Sequence, residues 1–256
     1  MSKLKVTAKE KATKAPARKA APSAAVRREV RLVITKRFES VSYSRWRDWR
    51  QCAYRAALKH LQKLPEGPEG PALARGNEVH KLAERVILGT LKTVPDELRA
   101  FKPELLAFKK AKATPEIQWG FDRNWNPVDW FDWTNCFLRV KADVFSLVKT
   151  AADIWDWKTG RYREEQVDEY KLQLELYAPA AMVMAQKAKT VRTVIAFTDQ
   201  AKQEEETFKS TQLAALKKTW AERFAPMLAD KRFTPTPNEA CRYCHYRRNN
   251  GGPCIY

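Results

Sequence analysis

Three features of the sequence predict an α/β fold in which helices flank a mixed central β-sheet. Apolar residues recur at helical spacing over 39–64 and 72–90. Runs rich in β-branched and aromatic residues then follow at 116–121, 136–147 and 152–158. Beyond them the pattern returns to a helix at 164–187, to strands near 191–198 and 203–209, and to a helix at 211–229. A helix–strand–strand–strand–helix–strand order fits helices packed on one mixed sheet.

Each element has its own local signal. For 39–64, Ser42 or Ser44 can cap the N-terminus, and Trp46, Trp49, Ala53, Ala56 and Ala57 mark one face. Pro65 to Pro71, with two glycines between, reads as a loop. Over 72–90, Val79, Leu82, Ala83, Val86 and Ile87 keep helical spacing, with Gly76 one turn before His80. A short helix fits 97–112, and the short polar link between 136–147 and 152–158 predicts a hairpin. Pro235 and Pro237 lead into a cysteine-rich end.

The chain has 256 residues, enough for one good-sized core, and its formal charge is +18. Residues 1–36 hold seven Lys and four Arg against two Glu, a net of +9, so the rest of the chain is equally basic. A basic tail alone could serve solubility; a basic body as well points to a polyanion, nucleic acid before a membrane surface. Residues 1–28 have too few large apolar side chains to repay ordering. The expected organisation is therefore a disordered basic tail over 1–36 and one domain over 37–256. No run is long and apolar enough for a membrane span, and the first residues lack an apolar signal core, so a cytoplasmic protein with no membrane partner is expected.

Asp143 interrupts an apolar run (Leu138, Val140, Ala142, Val144), and Asp156 closes the next one in the segment IWDWKTG. Buried carboxylates are costly unless a cation pairs with them. Two at the ends of adjacent strands can share a hard divalent ion, and Lys158, two residues from Asp156, lies on its face. Asp143, twelve intervening residues, then Asp156-Trp157-Lys158 resembles the signature of PD-(D/E)XK nucleases. Gly76 through His80 resembles the GxxxH motif of their RecB-type branch. Gln173 through Tyr177 resembles its QxxxY motif, and Ser42 through Arg55 its N-terminal helix, with Ala53 where proline is common. Singly, each has an ordinary explanation: a core histidine, a helix surface pair, a solvated lysine. Their common order over about residues 40–256 argues for the resemblance.

That resemblance implies a restriction-endonuclease-like PD-(D/E)XK core with His80, Asp143 and Asp156 as ligands of Mg²⁺ or Mn²⁺, helped by the Trp157 carbonyl. Lys158 would activate or position the attacking water, Gln173 would orient Lys158 and the metal water, and Tyr177 would contact a substrate phosphate. Glu116, at the start of the first strand, could assist.

Five cysteines without a secretory signal do not suggest disulfides. Cys241, Cys244 and Cys254 crowd the C-terminus, and Cys52 can supply a fourth thiol from the other end; Cys136 reads as a core residue. Four thiolates can hold a [4Fe–4S] cluster or Zn²⁺, the latter with His245 as an alternative ligand, and unligated thiols are the third alternative. A subset of RecB-type nucleases, including the AddB subunit and CRISPR-adaptation nucleases, resembles this layout, with a [4Fe–4S] cluster joining the N- and C-terminal ends. The spacing from Cys244 to Cys254 is longer than is usual there.

The expected function is Mg-dependent hydrolysis of DNA, as an exonuclease on single strands or free duplex ends in recombination, repair or replication. Endonuclease or flap cutting is the alternative within the same chemistry. A non-catalytic DNA-binding module is the alternative outside it, though such a protein would be expected to lose Asp156 or Lys158. There is no GxxxxGK[ST] phosphate loop, so unwinding would need a helicase or recombination partner.

Overall fold

The computed structural model describes residues 34–67 and 69–256. The expected tail, up to residue 33, lies outside the described residues. Its core is one six-stranded sheet in the order β2-β1-β3-β4-β5-β6. The strands are β1 (Thr114–Phe121), β2 (Pro127–Val128), β3 (Leu138–Val148), β4 (Ala151–Lys158), β5 (Thr190–Phe197) and β6 (Lys202–Lys209). All neighbours run antiparallel except β4 and β5, so the sheet is mixed. β3 and β4 form the expected hairpin, whereas the parallel β4–β5 pair needs a crossover, supplied by helix α5 (Val167–Met184).

Helices cover both faces. On one lie α3 (Pro71–Ile87) and α4 (Lys102–Ala111), whose Val79, Ala83, Val86, Leu105 and Phe108 pack on Val144, Trp155, Trp157, Val194 and Ala196. On the other lie α1 (Tyr43–Gln51), α2 (Ala53–His60), α5 and α6 (Leu213–Ala229). Trp46 of α1 packs edge-on against Trp220 of α6 and donates its indole N–H to the Arg223 carbonyl at 2.9 Å. This contact fixes the N-terminal helix beside the C-terminal third of the chain.

Most element ends fall within two or three residues of expectation, but the helix foreseen over 39–64 is two helices. Cys52 takes an extended conformation (φ −163°, ψ 107°) between α1 and α2. Its N–H still reaches the Asp48 carbonyl and its own carbonyl accepts from Ala56, so a single residue turns the axis without losing either bond. Asp48 and His60, on opposite sides of the break, are joined at 2.8 Å, and Lys59 lies 3.4 Å from the same buried carboxylate. Burial pushes Asp48 upward, but His60, Lys59, Arg55 and Arg47 outweigh it and hold the carboxyl below its usual range. The 97–112 helix likewise begins as a 3₁₀ segment (Asp96–Phe101), and β2 was not foreseen because two residues carry no periodicity.

Strand alternation orients β4. Trp155 and Trp157 point to the α4 side, where Phe101 stands 6.1 and 5.7 Å from them, centroid to centroid. Asp156 and Lys158 therefore project to the opposite side. In β3 the alternation breaks, because Ala142, Asp143 and Val144 are all buried. Before the break Val140 and Ala142 join the α5–α6 cluster; beyond it Phe145 and Leu147 pack there while Val144 joins the α3–α4 side. Facing that break in β1, Glu116 has a left-handed backbone (φ +49°), a conformation unusual for a non-glycine residue and found where structure imposes it.

Trp155→Ala is expected to cost about 3–5 kcal/mol of stability. Trp155→Phe should cost less than half as much: it keeps a ring against Phe101 and Phe108 and removes an indole N–H that has no partner among the described residues. Urea unfolding of the three proteins measures both.

Candidate active site

The register places three carboxylates side by side. In β1–β3, Pro115 pairs with Val144 and Ile117 with Ala142, so Glu116 lies opposite Asp143. In β3–β4, Val144 pairs with Trp155, and one step further sets Asp143 opposite Asp156. Directly opposed residues of antiparallel strands project to the same side. Asp143 and Asp156 are each only 6% exposed. They lie at the floor of a cleft of about 640 Å³ whose walls include His80, Lys141, Lys158, Gln173 and Tyr177.

α3 brings His80 to Asp143. Its Nδ1 lies 3.1 Å from Asp143 Oδ1, and its Nε2 lies 2.9 Å from the Trp157 carbonyl. Both partners are acceptors, so the ring is satisfied only as a doubly protonated cation, or with a metal ion in place of one proton. Burial draws the His80 pKa down, but Asp143, Asp156 and the Trp157 carbonyl outweigh it and leave it raised. Burial and the facing Asp156 charge push Asp143 up, against the pull of His80 and of the Trp157 N–H, which donates to Asp143 Oδ2 at 2.6 Å.

Ligand atoms of His80, Glu116 and Asp143 all lie within 4.8 Å of one another. One imidazole with two carboxylates is a suitable set for a hard divalent cation, and it would resolve the crowding of like charges that burial has produced. Glu116 thus stands inside the group where sequence reasoning gave it only an assisting place; its αL backbone carried no sequence signal. It also pairs with Lys141 at 2.9 Å.

Asp156 stands beside this group rather than within it. Its Oδ1 accepts from Tyr177 at 2.9 Å and from Gln173 at 3.3 Å, while its Oδ2 is paired with the Lys158 ammonium. Gln173 also donates to the Tyr177 hydroxyl at 2.6 Å. The i, i+4 pair on α5 therefore engages Asp156 itself. Tyr177, expected at a substrate phosphate, is 3% exposed with its hydroxyl committed to Asp156, and burial lifts its pKa well above the ordinary phenol value.

A family model of the PD-(D/E)XK nuclease superfamily matches residues 40–249. The chain belongs to that superfamily. PD-(D/E)XK nucleases use divalent metals, and the convergence of His80, Glu116 and Asp143 is where this member can hold one. No curated protein matches the chain at a significant level. Among solved structures, the protein SSO0001 is similar at 17% identity and a TM-score of 0.43, covering 82% of this chain and 85% of that one. A protein from Eubacterium rectale provisionally described as an exonuclease is similar at 13% identity and a TM-score of 0.42, covering 82% and 88%. At those values neither similarity bears on what this nuclease acts on.

Cys52, Cys241, Cys244 and Cys254 line a second cavity, of about 130 Å³, at the far side of α1 and α2. The long spacing before Cys254 is taken up by a closed loop. Its Cys254 N–H returns to the Tyr246 carbonyl at 2.8 Å, and Gly252 lies so close to the Tyr246 backbone that a Cβ would sit 2.3 Å from it. His245 does not line this cavity, and Cys136 is buried as a core residue. Among the described residues no helix is long and apolar enough to cross a membrane.

Proposed function

We propose that this PD-(D/E)XK protein is a deoxyribonuclease of the RecB-type branch, acting as an exonuclease on single-stranded DNA or duplex ends in recombination, repair or replication. The observation that carries it is the placement of Asp156 and Lys158, joined as an ion pair, on the cleft that His80 and Asp143 also line, with Glu116 grouped beside those two. Residues 37–256 form the nuclease domain in this reading, and the net charge of +18 suits a polyanionic substrate. A helicase or recombination partner would supply any unwinding.

His80, Asp143 and Glu116, with Asp156 and the Trp157 carbonyl alongside, would hold Mg²⁺ or Mn²⁺. When bound, such an ion acidifies water and offsets charge on the scissile phosphate. The protein's own groups do the rest. Asp156 fixes the Lys158 ammonium at the cleft, where it orients the attacking water and offsets the charge developing on phosphate oxygens. Gln173 and Tyr177 hold Asp156 in place, so they are positioning residues.

We further propose that the four cysteines hold a [4Fe–4S] cluster that joins the chain ends. Zinc–sulphur bonds of about 2.3 Å would bring every pair of thiolates to roughly 3.8 Å. Among the described residues no three cysteine sulphurs lie within 4.8 Å of one another, and a four-iron cluster, itself larger than one ion, takes four thiolates. Backbone N–H groups of Thr236 and Asn238 already point at Cys52 and Cys241, at 3.5 and 3.4 Å. The Cys254 thiol is pushed up by burial and by the other three thiols, a crowding that bound iron would relieve.

Lys158→Ala and Asp156→Ala should each reduce Mg²⁺-dependent cleavage of end-labelled single-stranded DNA by at least about 100-fold, with binding retained. Wild-type turnover by purified Asp156→Ala protein would refute the assignment.

Protein purified without oxygen should be brown and contain iron and acid-labile sulphide, and Cys254→Ser should lose both along with thermal stability. Stoichiometric zinc without iron would replace the cluster with a zinc site.

A further inference from the structure

The loop between β2 and β3, residues 129–137, exposes aromatic rings beside the cleft. Phe131 is 64% exposed and Trp133 75%, although every other tryptophan is at least partly covered. The loop is turned by its own hydrogen bonds. Asp129 accepts from the Phe131 N–H at 2.7 Å, and Asp132 from the N–H groups of Thr134 and Asn135 at 3.1 and 2.9 Å. Both aspartates are therefore engaged in turning the chain. The loop's base rests on Gly120 of β1, where a Cβ would come within 2.8 Å of Cys136 Sγ and 2.9 Å of the Val128 carbonyl. The rings are presented by a rigid support, which limits the entropy lost when something stacks on them.

Cationic groups stand beside the rings. The Arg139 guanidinium lies 4.7 Å from the Trp133 ring centroid and 5.8 Å from that of Trp130, and both Trp130 and Arg139 line the cleft. Arg139 gives Nε to the Trp130 carbonyl at 3.1 Å, while its Nη2 has no partner among the described residues. Arg45 faces it: the bridge between Val41 and Leu138 sets the start of α1 alongside β3. Among the described residues the Arg45 guanidinium donates only to Ser40, to its carbonyl and its hydroxyl, and its pKa is lowered by burial and by Arg139. Two neighbouring guanidinium groups, with no carboxylate bonded to either among the described residues, form an anion site.

We propose that this loop is a stacking platform for unpaired bases, holding a single nucleic-acid strand whose phosphates run along Arg139 and Arg45 toward the acidic floor of the cleft. Exposed rings supply sequence-independent stacking and the arginines supply phosphate contacts, the combination by which proteins hold single strands. A paired duplex would present no free base faces to Trp133 and Phe131. The proposal deepens the nuclease reading by naming an unpaired strand as what the cleft receives, and it rests on that reading only for the strand's direction.

The test is binding of the full chain to a fluorescein-labelled oligothymidylate in EDTA, followed by anisotropy, so that cleavage plays no part. Phe131→Ala and Trp133→Ala should each weaken binding about tenfold. Trp133→Phe should recover most of its loss, and blunt duplex should be held by all variants as by wild type. Equal affinity of the double alanine variant and wild type for oligothymidylate would overturn the proposal, including the case in which the loop docks a protein or lipid surface. If instead the variants lose the strand but wild type cleaves no DNA with any divalent ion, the platform stands and the nuclease reading falls.

Discussion

Three acidic side chains held next to one another across β1, β3 and β4 are the constraint on which the rest of the structure turns. Glu116, Asp143 and Asp156 come from adjacent strands at one level of the sheet, and two of them are almost fully buried. Such a row is unfavourable in isolation, since burial and like charge both oppose ionisation. The protein surrounds it with cations and donors: His80 on Asp143, Lys141 on Glu116, and Lys158, Gln173 and Tyr177 on Asp156. The αL backbone of Glu116 and the broken alternation of β3 are where the sheet yields to make the row possible. Stability elsewhere, above all the packing of Trp155 and Trp157 against Phe101, holds β4 so that its polar residues cannot turn inward.

The same economy links the two ends of the described chain. α1 is held to α6 by Trp46 and Trp220, and Cys52 breaks the helix where it meets the C-terminal loop. The Asn238 side chain donates to the Gln51 carbonyl at 3.1 Å, so the junction has direct bonds as well as thiols. Because α1 also forms one wall of the cleft, anything that tightens this junction also fixes Ser42, Arg45 and Arg47 relative to the acidic row.

Much of this was legible in the sequence, and for physical reasons. Strand periodicity and the spacing of Asp143, Asp156 and Lys158 are local, so the sheet, the hairpin and the pairing of Asp156 with Lys158 on one face could be read directly. His80, Gln173 and Tyr177 were recognisable by resemblance to a family pattern, whereas the Tyr177 bond to Asp156 could not be read from it. Glu116 was undervalued because its place depends on β1–β3 register and an αL residue, neither of which a strand pattern encodes. The break at Cys52 was missed because helical spacing continues across it. The exposed Trp133 was indistinguishable by composition from buried Trp155, since exposure is a property of the loop's fold and not of the residue.

The central claim is that Glu116 and Asp143 of this row, with His80, hold a divalent cation. Anomalous diffraction from crystals of the protein soaked in Mn²⁺ tests it most directly. A peak bounded by His80, Glu116 and Asp143, and lost in crystals of Asp143→Asn protein, is the predicted result. A cleft without any peak at saturating Mn²⁺, in crystals where the cleft is open to solvent, would contradict it.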